Sequence, residues 1–356
     1  MNREMKYVGI DAHATSCVFV VVSADGKTEF RSTVPTEIEA IRKQMFRIGP
    51  DCEVVFEEGE MSSWLYRVIQ GLARRVVVCN PREHRSSRKS NKTDKIDAEK
   101  LARWLSRGQL TKLVYKDWHG TERLFHAVRC YDTLVSNRTR AKNRLKSLLR
   151  AHAVPVRGRG PYASKPREKM LAKVTAAGVL ERAEMLSKEI EMLTALLKDA
   201  ERSMTTEARR HPASKILQSI PGIGDVRSAQ LIAAIREPGR FRRNRHLWAY
   251  GGLAVVMRGS SETDYVDGAP RKRPRAVQTR GLNRNFSRPV KNALKGAAGT
   301  ASRKGELVPY YEALEARGLK PELALVTLAR KIATLTLVLW KKGESFDVTK
   351  LTSRSV

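Results

Sequence analysis

Four acidic residues in the N-terminal part of the chain have the types and spacing to hold a metal ion. Asp11 closes the apolar run YVGID and Glu57 closes EVVFE, so each sits where a strand would end at a cleft. Asp94 and Asp97 lie in NKTDKIDAEKLARWL, and their i, i+3 spacing puts both on one face of a helix. Hard carboxylate oxygens from three elements suit Mg²⁺, and two such ions would hold a scissile phosphate and stabilise its attacking and leaving oxygens. Other roles remain open on spacing alone. Asp94 and Asp97 would also cap a helix start, Asp11 would also serve a turn, and Glu57 has Glu58 and Glu60 beside it. Far downstream, Ser260 and Ser261 follow WAYGGLAVVMRG. A hydroxyl there could attack a phosphodiester, although Gly-Ser-Ser is also an ordinary loop.

The elements that must carry these groups follow an RNase H-like order. YVGID and SCVFVVV read as two paired strands, with a turn at Gly26. A helix from about Thr36 to Arg47, a buried strand at Glu53–Glu57, a helix near Trp64–Ala73 and a strand at Arg75–Cys79 continue an α/β alternation. Residues 121–150 read as a long amphipathic helix with a basic end. After a Gly/Pro/Arg-rich break, Leu186, Ile190, Leu193 and Leu197 recur at coiled-coil intervals. These two helices form either a pairing arm or a plain helical linker. Helical sequence from about Glu322 to Trp340 closes the chain. The expected architecture is an α/β RNase H-like (RuvC-like) domain, a helical coiled-coil middle and a mainly α C-terminal domain. The expected boundaries are 1–118, 119–210 and 211–345, with a tail at 346–356.

Charge names the partner class. Lys and Arg number 68 against 37 Asp and Glu, a formal charge of +31 in 356 residues. Such an excess favours a polyanion through phosphate neutralisation and counterion release. It is concentrated beyond residue 120, where +26 of it lies. From Pro270 to Lys304 there are eleven basic residues and no acidic one, which reads as a phosphate-binding segment or a disordered basic loop. IPGIGDVRSAQLIAAI reads as a helix-hairpin-helix, in which Gly222 and Gly224 free the turn and its amides can face a phosphate. Cys17, Cys52, Cys79 and Cys130 show neither a CxxC pair nor zinc spacing, so they read as reduced thiols. With no apolar run of membrane length, the expectation is a soluble cytosolic protein without a membrane partner.

Taken in order, these segments resemble the one-ten family of bacterial insertion-sequence transposases, in which a RuvC-like DEDD domain precedes a transposase domain with a catalytic serine. The resemblance spans nearly the whole chain and rests on YVGIDAHATSCVFVVV, FEEG, NKTDKIDA, IPGIG and AYGGL with its serine pair. Val255 departs from it, standing where the family commonly has proline. The resemblance implies that Asp11, Glu57, Asp94 and Asp97 are the DEDD metal ligands, selecting Glu57 over its neighbours. It implies Ser260 as nucleophile, with Ser261 as the alternative. It also implies strand exchange through a phosphoserine link, between donor and target DNA, with pairing supplied by a structured bridge RNA. The expected nucleic-acid contacts are Gly222 and Gly224, then Arg138, Arg140, Lys142, Arg144 and Lys146, then Arg271, Lys272, Arg273, Arg275, Arg280 and Arg284. Exchange between two duplexes leads us to expect a dimer or tetramer. Two competing readings are a metal-only nuclease that resolves Holliday-type junctions, and a non-catalytic nucleic-acid binder.

Overall fold

The computed structural model describes residues 5–80, 94–110, 120–156, 158, 164–258, 263–266, 269–272 and 278–349. The chain divides into two compact units, Met1–Asp117 and Trp118–Val356.

The first unit is a five-stranded mixed sheet covered on both faces. Strands β1 (Lys6–Ala12), β2 (Ser16–Val22) and β3 (Thr28–Pro35) form an antiparallel meander. β4 (Cys52–Glu57) and β5 (Arg75–Cys79) add in parallel beside β1, giving the order β3-β2-β1-β4-β5. This mixed α/β sheet fits an RNase H-like fold. Period-2 alternation sorts the side chains by face. Val8, Ile10, Phe19, Val21, Val54 and Phe56 bury against α1 (Ile38–Ile48) and α2 (Ser62–Ile69). Val18, Val20, Val22, Val55 and Val77 meet α3 (Asp94–Ser106) through Ala98, Leu101, Ala102 and Leu105. Strand β3 goes beyond the two paired strands expected, and its burial alternates between half-buried and exposed along its length. An edge strand carrying Glu29 and Arg31 has too few apolar residues to announce itself.

The second unit is built on two long helices. The N-terminal end of α4 (Glu122–Ala151) clusters through Leu124 and Val128 with Met204 and Ala208 at the far end of α6 (Ala177–Arg209). The C-terminal end of α4, with Ala141, Leu145 and Leu149, packs on Ala183, Ile190 and Leu193. The pair therefore runs antiparallel, with α5 (Ser164–Leu171) alongside α6. Next come α7 (Ala213–Gln218), α8 (Asp225–Ile235) and α9 (Asn244–Tyr250). Strands β6 (Val255–Arg258) and β9 (Gln278–Leu282) pair antiparallel, as do β7 (Thr263–Val266) and β8 (Ala269–Lys272). α10 (Arg288–Ala301), α11 (Val308–Ala316) and α12 (Pro321–Lys342) complete the unit. By length and composition α12 is apolar enough to cross a bilayer, yet Ala324, Leu328, Ala329, Ile332, Ala333 and Leu337 are buried in the core shared with α8 and α10.

The basic stretch Pro270–Lys304 is only partly what charge counting suggests. Its second half is α10, whose Val290, Ala293, Leu294, Ala297, Ala298 and Ala301 are buried at helical spacing. The cations of that half ride on the outside of a core helix.

Candidate active site

The carboxylates of β1 and β4 are neighbours by construction. The parallel register pairs Ile10 with Phe56, so Asp11 and Glu57 stand on the next rung of strands that lie about 4.8 Å apart. Ile10 and Phe56 point into the α1/α2 face, so alternation turns Asp11 and Glu57 to the face that α3 covers. Both lie at the carboxyl end of a parallel strand, where open α/β sheets place their ligands. A cleft of about 380 Å³ opens at these strand ends, lined by Asp11, His13, Glu57, Glu58 and Glu60 and, on the α2 side, by Met61, Ser62 and Leu65. Asp11 Oδ2 is 3.3 Å from His13 Nε2, and Glu57 is exposed. The same carboxylate makes itself felt on Cys17: burial raises that thiol's pKa and a hydrogen bond to Thr36 opposes the rise, while Asp11 reinforces it.

Gly9 sets how close α3 comes to these groups. It lies two residues before Asp11, on the same face. A methyl group added there would lie 1.9 Å from the Ala98 carbonyl oxygen and 2.8 Å from the Ala102 nitrogen. The backbones of β1 and α3 are therefore in direct contact, and Asp97 immediately precedes the touching residue. Asp97 itself is half exposed and lies 3.5 Å from Lys100 of its own helix. Asp94 is the first residue of α3, and its side chain lies outside the described residues. Among the described residues, no group of three or more His, Cys, Asp or Glu side chains is close enough to hold a metal ion. The described part of the site is the Asp11/Glu57 pair, with Asp97 on the helix that packs against Gly9 of the same strand as Asp11. Sequence reasoning missed Gly9, although a glycine inside a strand is a known sign of close backbone approach.

α3 is fixed laterally by Glu99, which accepts from Thr28 Oγ1 at 2.9 Å, Arg31 at 2.5 Å and Arg103 at 2.7 Å. Burial pushes its pKa up, but the hydrogen bonds from Thr28 and Arg31 and the charges of Arg31 and Arg103 outweigh that and leave it lowered.

In the second unit, the turn Ser219–Gly224 joins α7 to α8. Gly222 adopts φ +87°, and a Cβ there would meet the Ala297 carbonyl of α10 at 2.3 Å. Arg227 ties the same contact by donating to Gly222 O at 2.7 Å and to Thr300 Oγ1 at 3.1 Å. Gly224 is exposed with open space around it, so of the two glycines this is the one that faces solvent. On α4, Arg140 and Arg144 are exposed and Arg138, Lys142 and Lys146 half-buried. Among the described residues no carboxylate pairs with Arg138, Arg140, Arg144 or Lys146. Arg284 is exposed. Ser260, Ser261, Arg273 and Arg275 lie outside the described residues, as do the side chains of Arg271, Lys272 and Arg280.

The strand leading towards the serines is anchored at its base. Gly252, at φ +64°, packs under Phe286, Arg330 of α12 donates to Leu253 O at 2.7 Å, and Asn283 N donates to Ala254 O at 2.9 Å. A DEDD transposase model matches residues 8–153, and a second model, described as transposase IS116/IS110/IS902 family, matches residues 214–311. The chain belongs to the IS110 family of transposases. Over 276 residues this transposase is 24% identical to the transposase for insertion sequence element IS1111A of Coxiella burnetii, covering 76% of this chain and 74% of that one. It is 29% identical over 139 residues to an uncharacterized 43.6 kDa protein of insertion element IS110 from Streptomyces coelicolor, covering 38% of this chain and 31% of that one. It is a DNA-acting enzyme that transposes an insertion sequence.

Proposed function

We propose that this transposase cuts and rejoins DNA with a serine nucleophile, Ser260, assisted by Mg²⁺ held on Asp11, Glu57, Asp94 and Asp97. The observation that carries the reading is the Asp11/Glu57 rung: two like charges on adjacent strand ends, open to a cleft, with hard oxygen donors suited to a divalent cation. Bound there, Mg²⁺ would neutralise charge on the phosphate oxygens. Asp94 and Asp97 would complete the donor set from α3, the helix whose Ala98 backbone packs against Gly9 of β1. The Ser260 Oγ attacks phosphorus, its proton leaves, a phosphoserine ester forms, and the bond to the departing DNA oxygen breaks. A DNA hydroxyl from the exchanging strand then attacks the phosphoserine, which reseals the backbone and frees the serine.

The wider division of labour follows the family resemblance. Residues 1–118 hold metal, 119–210 form an antiparallel coiled-coil arm for dimer or tetramer assembly, and 211–345 bring the helix-hairpin-helix and the serine. A structured bridge RNA supplies base pairing to donor and target, so the protein reads backbone and shape. Arg138–Lys146 and Arg271–Arg284 contact RNA and DNA, and Gly224 presents the hairpin amides to a phosphate.

The test is trapping of a covalent protein–DNA adduct with Mg²⁺ present. Ser260→Ala is expected to abolish the adduct and Ser261→Ala to retain it. Asp11→Asn or Glu57→Gln is expected to lose cleavage. Continued cutting by Ser260→Ala with no adduct would replace this reading with a metal-only junction nuclease.

A further inference from the structure

The end of the loop between α8 and α9, with the first turn of α9, carries a charge cluster that neither the carboxylates nor the hairpin uses. Arg242, Arg243, Arg245 and His246 are all exposed, and among the described residues none of their side chains has a carboxylate partner. No acidic residue occurs from Pro238 to Ser261. Glu237, next in sequence, is turned back to accept from Gly239 N at 2.9 Å.

The backbone beneath this cluster is held rigid on both sides. Phe241 before it and Leu247 after it are buried. Lys341 of α12 donates to Phe241 O at 2.6 Å. The Arg240 guanidinium lies 4.9 Å from the Phe241 ring centre and 5.1 Å from that of Tyr250, and it donates to Ile235 O at 3.2 Å. Tyr250 in turn donates to Ala234 O at 3.2 Å. Arg240 is thus spent on structure, and its neighbours project from a fixed base. Uncompensated like charges on a rigid base repel one another unless an anion lies across them.

Among the described residues no exposed Phe, Tyr or Trp accompanies the cluster: Phe241 is buried, and Trp248 is half-buried with its indole N–H given to Arg330 O at 3.1 Å. Unpaired bases need such a platform, whereas duplex backbone needs cations alone. We infer that Arg242, Arg243, Arg245 and His246 form a clamp for the phosphate backbone of duplex DNA, independent of sequence. The clamp stands apart from the serine and carboxylate reading, since it requires only that the enzyme grips duplex DNA.

The experiment measures binding of the full chain to a random-sequence duplex and to its single strand across a salt series. Arg242→Ala/Arg243→Ala/Arg245→Ala is expected to flatten the log–log salt slope for the duplex by about 2 to 3 and to weaken binding roughly tenfold or more near 0.1 M salt. Single-strand binding is expected to change little. Lysine at the same three positions should restore the slope, which separates lost charge from lost folding. Arg42→Ala/Lys43→Ala/Arg74→Ala removes the same formal charge from exposed positions of the first unit and should leave the slope in place. Equal flattening by this first-unit control, a greater loss for single strand than for duplex, or an unchanged slope would each overturn the assignment.

Discussion

Replacing Gly9 with alanine tests whether β1 and α3 are locked together as the structure requires. The new methyl carbon would sit 1.9 Å from the Ala98 carbonyl oxygen, and ordinary contact begins at 3.4 Å. The two elements must part by about 1.5 Å, the difference between those distances. Both colliding atoms belong to backbone, so no rotamer change relieves them. Overpacking of this kind costs about 1–3 kcal/mol, enough to lower the melting temperature of the first unit by several degrees. Function should suffer more than stability. Asp11 on β1 and Asp97 on α3 are two of the proposed metal ligands, and a displacement of about 1 Å in a catalytic constellation costs on the order of a hundredfold in rate. Thermal unfolding and DNA cleavage against Mg²⁺ concentration measure the two effects. The double variant Gly9→Ala/Ala98→Gly should be no better than the single one, because removing the Ala98 methyl leaves its carbonyl in place. Wild-type melting and cleavage in Gly9→Ala, or rescue by Ala98→Gly, would refute the backbone contact.

Gly222→Ala should destabilise the second unit, since it combines a left-handed φ, worth about 1–2 kcal/mol, with the 2.3 Å approach to Ala297 O. Gly224→Ala should melt like wild type but bind DNA less tightly; similar melting for both variants would remove the distinction drawn between the two glycines. In the native protein, a thiol reagent should modify the exposed Cys130 quickly and spare Cys17, Cys52 and Cys79 until unfolding, with burial holding the Cys52 thiol up at about 11. Fast labelling of more than one thiol would contradict that. Glu99 has a folded pKa below its ordinary value of 4.5, so it contributes stability that is present above that value and lost as pH falls through the folded one. Glu99→Gln should therefore melt lower than wild type at neutral pH, and the gap should close in acid. A gap independent of pH would show that the carboxylate charge is not what holds α3 to β3.

How much was legible in the sequence depended on whether a residue's signal survives without its neighbours. β1, β4 and β5 announced themselves because strands buried on both faces are nearly continuous runs of Val and Ile, and their terminal acids gave Asp11 and Glu57 as candidates. Their adjacency was not legible, because it follows from a parallel register that only pairing fixes. β3 was hidden by its alternating charges. α10 was hidden in the opposite way: its buried stripe is mostly alanine, and counting Arg288, Lys291 and Lys295 drew attention to the solvent side of a core helix. Gly222 was read as a turn residue whose freedom serves a phosphate, yet the atoms nearest its missing side chain belong to α10. The FRRNRH segment shows the same ambiguity resolved the other way. Its cations lie within a short span, as those of α10 do, but over residues 241–247 only Phe241 and Leu247 are buried, and three arginines and His246 are left exposed with no carboxylate partner among the described residues. A basic run is therefore informative about a ligand only after the core has claimed its share of the segment. By that criterion Arg242, Arg243 and Arg245 are stronger phosphate ligands than the lysines and arginines of α10.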